Sequence, residues 1–116
     1  MLDPQVRAYL DAVPPAHRVL FDRVQTLVLQ AHPGASCVLA YRMPTFVVGE
    51  RQLHVVVWKH GLSLYGWDAG RDGGFAARHP ELDSGKGTLK VPLATADELS
   101  DDELLGVLRG ALDPRP

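Results

Sequence analysis

The residues of this chain that could do chemistry are few and scattered. Cys37 is the only cysteine, and the five histidines stand at positions 17, 32, 54, 60 and 79. No His-x-x-x-His or Cys-x-x-Cys spacing brings two metal ligands onto one helix face or into one turn, so no preformed zinc site is expected. Cys37 could be paired on paper with His54, His60 or His79 as nucleophile and base. It alternates within an apolar strand, however, which predicts a buried, inert thiol. Ser63 lies in mid-strand, whereas a nucleophilic serine on a sharp strand–helix turn is announced by Gly-x-Ser-x-Gly. Gly85-Lys86-Gly87-Thr88 invites a phosphate-loop reading, but Pro80 stands where the first glycine belongs and Gly87 replaces the hydroxyl residue after the lysine. A tight turn carrying Lys86 is the simpler reading, with glycines that let backbone amides come close to an anion. The carboxylates Glu81, Asp83, Asp101, Asp102 and Glu103 read as helix-start chemistry and solvated surface that could hold a hard cation weakly. No catalytic constellation emerges, and a non-enzymatic protein is expected.

The elements that position these groups centre on residues 36–65. Val47-Val48 and Leu53 flank the loop Gly49-Glu50-Arg51-Gln52, and His60-Gly61 separates Val55–Lys59 from Leu62–Tyr65. Turns at those places would pair Val48 with Leu53 and Trp58 with Ser63. Alternation then puts Phe46, Val48, Leu53, Val55, Val57, Leu62 and Leu64 on one face, a core face. The other face collects Thr45, Val47, His54, Val56, Trp58, Ser63 and Tyr65, a mixture of apolar, aromatic and hydrogen-bonding groups. The first strand is expected from Ser36 to Tyr41, interrupted by Met43-Pro44, with Pro44 marking a strand start, an edge or a bulge. Thr88-Leu89-Lys90-Val91 reads as one further strand, with Lys90 an ordinary surface lysine. Strict alternation puts Lys59 on the core side, but at a hairpin end from which its long stem can reach around.

Helices cover this sheet. Asp3-Pro4 caps and opens the first, with Val6, Tyr9, Leu10 and Val13 at helical spacing. The second follows Pro14-Pro15 and runs from Ala16 to His32, with Leu20, Val24, Leu27, Val28 and Ala31 facing the core. Ser100-Asp101-Asp102-Glu103 has the form of a capping box ahead of the stripe Leu104, Leu105, Leu108, Ala111, Leu112. Between Tyr65 and Thr88 the glycine-rich stretch is legible only as a helical turn over Phe75–His79. The expected fold is therefore α+β: a curved antiparallel β-sheet meander covered by two N-terminal helices and a C-terminal helix, one domain over residues 1–116.

Composition bounds the function. Hydrophobic residues are 46% and charged residues 22% of 116, which suits a globular domain. A formal net charge of −2 gives no bulk attraction to nucleic acid or anionic lipid. A single cysteine and the lack of an apolar leader or long apolar run point to a cytoplasmic protein, with no membrane partner.

Three motifs carry a family resemblance. Tyr41-x-Met43-Pro44-x-Phe46, Lys59-His60-x-x-Ser63-Leu64-Tyr65 and Gly85-Lys86-Gly87-Thr88-Leu89-x-x-Pro92 resemble the YdhG-like family of small bacterial proteins, a domain of unknown function. The segment Tyr9-Leu-x-x-Val-Pro-Pro is similar as well, so the resemblance spans nearly the whole chain. It implies the α+β fold already read and, because some members are described as frataxin-like iron chaperones, iron as a bound metal. Members often carry an amphipathic helix where this chain has Gly70, Gly73 and Gly74. Two functions stay open. One is an iron carrier with metal held by the acidic residues above. The other is an anion, small-ligand or partner binding module, monomer or homodimer, using Tyr41, Met43, Pro44, Thr45, His54, Trp58, Lys59, Ser63, Tyr65, Lys86 and Thr88.

Overall fold

A computed structural model describes residues 3–67, 71–85 and 87–113. In chain order the elements are α1 (Pro4–Asp11), α2 (Pro15–Ala31), β1 (Ser36–Ala40), β2 (Met43–Val48), β3 (Arg51–Trp58), β4 (Gly61–Tyr65), α3 (Phe75–Arg78), a 3₁₀ turn (Pro80–Leu82), β5 (Thr88–Pro92), α4 (Leu93–Ala96) and α5 (Asp101–Leu112). The strands form one antiparallel meander in the order β1-β2-β3-β4-β5. The α+β class and the helix-covered sheet expected from the pattern are what the structure shows.

Both expected hairpin registers are off by two residues. Phe46 pairs with Leu53 and Val48 with Arg51, so the first turn is Gly49-Glu50. Trp58 pairs with Gly61 and Val57 with Leu62, so the second turn is Lys59-His60. A slip of two conserves the side-chain face, and both face sets survive intact. Phe46, Leu53, Val55, Leu62, Leu64, Leu89 and Val91 are each 2% exposed or less. Burial of each such side chain stabilises by about 1.5–3 kcal/mol.

The helices lie on that core face. Phe21 of α2 stacks on Phe46 with ring centroids 5.7 Å apart, and α2 packs along α5. Phe21 was not part of the expected stripe, yet it is fully buried. The predicted caps are in place: the Asp3 carboxylate accepts from Gln5 N at 2.8 Å, and Ser100 and Glu103 make both bonds of the capping box. Helix α2 starts at Pro15, with Pro14 as its cap residue.

The glycine-rich stretch is held against α5. The buried Asp72 carboxylate accepts from the N–H groups of Gly74, Phe75 and Ala76, which starts α3 at Phe75. Gly106 and Gly110 of α5 leave the room for this loop. A Cβ on Gly106 would stand 2.9 Å from the Asp72 carbonyl oxygen, and one on Gly110 would overlap that of Arg71.

Both sheet edges are partly occupied, which limits strand addition there. Asp3 N donates to Cys37 O of β1 at 3.3 Å, and Ser84 N donates to Thr88 O of β5 at 3.0 Å.

The β1–β2 connection differs from expectation. Strand β1 ends at Ala40, Tyr41-Arg42 forms a two-residue turn, and β2 starts at Met43. Both turn residues have positive φ, 51° and 65°. That is the conformation a primed hairpin turn demands, normally met by Asn-Gly.

Candidate ligand-binding face

The second face of the sheet is organised as rows across the strands. Val38, Thr45, His54, Tyr65 and Thr88 pair in succession, one residue from each of the five strands. The next row is Val56, Ser63, Lys90, and beyond it Trp58, Gly61, Pro92. Val38, Met43, Val47, His54, Val56 and Trp58 are half-buried, and Tyr65 and Lys90 are exposed. The small members Thr45, Ser63 and Thr88 are buried between larger neighbours. Since the helices lie on the opposite, largely buried face, these rows face away from them.

At the centre, Thr45 Oγ1 lies 2.7 Å from His54 Nδ1 and 3.1 Å from the carbonyl oxygen of Met43. A hydroxyl has one hydrogen. Both bonds form together only when Thr45 donates to Met43 and His54 Nδ1–H donates to Thr45. That tautomer leaves His54 Nε2 as an acceptor. Tyr41, 85% exposed on its turn, presents an edge to the His54 ring with centroids 6.1 Å apart. The left-handed turn costs about 1–2 kcal/mol for each non-glycine residue, and it places Tyr41 beside this row.

At one end, the Lys90 ammonium sits 5.3 Å from the centroid of the Trp58 ring, and the His60 ring meets that indole edge-on at 5.4 Å. The Trp58 indole N–H is shielded from solvent and has no hydrogen-bond partner among the described residues. Trp58, Lys59, His60, Pro92, Leu93 and Ala94 bound an open cleft of about 540 Å³. Lys59 belongs to the turn, exposed, rather than to the core side.

This face carries little formal charge. No carboxylate occupies the strand positions of this face, and Lys90 is its one formally charged strand residue among those described. Asp11, Asp22, Asp101, Asp102 and Glu103 lie on the helices, together with Arg7, Arg18, Arg23, Arg78 and Arg109, and several of these are paired with one another. The whole-chain charge of −2 therefore does not describe this face, whose one formal strand charge among the described residues is positive.

Of the expected ligand-binding set, Met43, Thr45, His54, Trp58, Ser63, Tyr65 and Thr88 share this face, with Tyr41 and Lys59 on turns at its rim. Pro44 does not. It pairs with Leu39 and is buried on the core side, because it alternates with Met43 and Thr45. Lys86 lies outside the described residues. Lys90 is a surface lysine as expected, but it also belongs to this face. Its alternation with Leu89 and Val91 already put it beside Thr88, and the pairing of β5 with β4 brings it to Trp58.

The acidic residues do not gather. Asp101 bonds to Arg23 Nε at 2.8 Å, and the Asp83 carboxylate accepts from Gly85 N. Glu81 and Asp102 are exposed. Glu103 Oε2 lies 2.5 Å from His79 Nε2 and 3.4 Å from Arg78 Nε. The His79 hydrogen bond, joined by the Ser100 N–H, lowers the Glu103 pKa to about 2. Among the described residues no group of three or more His, Cys, Asp or Glu is placed to hold a metal ion. Cys37 is buried, and loss of hydration pushes its thiol up to about 11, against a smaller lowering by a hydrogen bond from the Thr45 backbone. A thiol so protonated is a poor nucleophile.

No described helix is long and apolar enough to cross a membrane. No family model, curated protein or solved structure matches the chain, so the chemistry of this face is what bears on function.

Proposed function

We propose that this protein is a small non-enzymatic binding domain that holds an anionic ligand, or an acidic group of a partner, against the second face of its sheet. The observation that carries the reading is the carboxylate-free set of rows, on the face away from the helices, that ends in Lys90 over Trp58. Half-buried apolar and aromatic groups supply contact area, and His54 Nε2 and the Tyr65 hydroxyl supply a few hydrogen-bonding positions. Sites for small ligands share this composition. A reducing, cytoplasmic setting suits the unpaired Cys37. The resemblance to YdhG-like proteins fits a binding role as well, with iron carriage as the rival reading.

Thermal unfolding at constant ionic strength separates the two. Acetate, phosphate, benzoate and ferrous iron are titrated against the wild type and the double variant Lys59→Met, Lys90→Met. A ligand that binds only the folded state raises Tm in a saturable way. The anion reading expects at least one anion to do so, with the effect lost in the double variant. A rise with ferrous iron alone, unchanged in the double variant, overturns it in favour of an iron carrier.

A further inference from the structure

We infer that the cleft between Trp58 and Leu93 is the seat of the ligand's ring and charge, and that it takes a planar aromatic carboxylate. This rests on the anion-binding reading and specifies where and what is bound.

The cleft combines two chemistries. Its lining includes the apolar side chains of Trp58, Pro92, Leu93 and Ala94. Gly61 stands between Trp58 and Pro92 in the ladder and contributes no side chain to fill the gap. Nor could it, because a Cβ there would overlap the Val91 carbonyl oxygen. Positive charge stands beside the cleft: Lys59, exposed on the turn, is part of the lining, and the Lys90 ammonium sits over the Trp58 ring that bounds the cleft. A ring seated between Trp58 and Leu93 buries its faces, while a carboxylate on its edge meets these ammonium donors. A bare inorganic anion would satisfy the lysines and leave the apolar lining unused. A neutral ring would do the reverse. The volume of about 540 Å³ lies in the ~300–1,000 Å³ range of small-molecule sites.

Saturation-transfer NMR with benzoate, benzamide and acetate as probes tests this on the wild type, Lys90→Met, Leu93→Trp and the distant control Arg7→Met. The amide spectrum of each variant reports whether the fold is kept, which exposed Lys90 and half-buried Leu93 permit. Benzoate should bind about tenfold more tightly than benzamide, the increment of one charge-assisted contact. Lys90→Met should bring benzoate to the benzamide level, Leu93→Trp should weaken both by filling the cleft, and Arg7→Met should change neither. Equal affinity for benzoate and benzamide overturns the inference. If acetate binds as well as benzoate and Leu93→Trp is silent, the cleft fails while the anion-binding reading stands. If no anion binds the wild type, both fail.

Discussion

His17 Nε2 lies 2.8 Å from the carbonyl oxygen of Trp58, which joins the first turn of α2 to the last residue of β3. A carbonyl only accepts, so Nε2 carries the hydrogen, and the buried ring holds the end of β3 against the helical layer. The backbone that carries the Trp58 indole is anchored by this bond. His17→Phe should leave the carbonyl unmatched and cost about 1–3 kcal/mol. A denaturant midpoint equal to wild type would show that the bond does not hold the two layers together.

The Tyr41-Arg42 turn should be improvable. Arg42 sits at φ 65°, where glycine has no Cβ to strain. Arg42→Gly should stabilise by up to about 1 kcal/mol while keeping Tyr41 beside His54. Unfolding at a lower denaturant concentration than wild type would mean that the Arg42 side chain contributes more than its backbone costs.

At Gly110 two effects of opposite sign compete. Alanine is favoured over glycine in a helix interior by about 1 kcal/mol. Against this, its Cβ would overlap the Arg71 carbonyl oxygen, and both groups are backbone that cannot swing away. Such overpacking costs about 1–3 kcal/mol, so Gly110→Ala should destabilise. A raised Tm would show that the loop around Asp72 yields easily.

Acid stability should depend on Glu103. Its folded pKa, about 2, lies below the ordinary value of 4.5, so the group stabilises the fold above pH 4.5. That contribution falls away as pH drops from 4.5 towards 2. Replacing the carboxylate by Glu103→Gln should flatten the pH dependence within that window. Parallel acid-unfolding curves for the two proteins would contradict the assigned partnership with His79.

Much of this was legible in the sequence, for physical reasons particular to each element. Strict alternation in Phe46–Val48, Leu53–Val57 and Leu62–Leu64 determined which side chains share a face, and a two-residue error in both turns could not disturb it. The Ser100–Glu103 box announced α5 through its own side chains. The Tyr41-Arg42 turn is not legible because neither residue signals positive φ, and of the three readings open for Pro44 the strand start is the one the structure shows, with β2 beginning at Met43. Its place in the ligand-binding set fails, since alternation from Met43 sends Pro44 to the core. The Asp72 cap and the glycine approach of α5 are long-range contacts with no local pattern to reveal them. Lys90 could be read for its face, but not for its position over Trp58, which depends on how far β5 slides along β4.

The most direct measurement of the central claim is amide shift mapping of the isotope-labelled wild type during a benzoate titration at constant ionic strength. Shifts are predicted for the indole N–H of Trp58 and the amides of Gly61, Ser63, Tyr65, Lys90 and Leu93, saturating together, while the helical layer stays still. Shifts confined to the helix arginines Arg7, Arg18, Arg23 and Arg109 would place anion binding on the opposite side of the molecule and contradict the account.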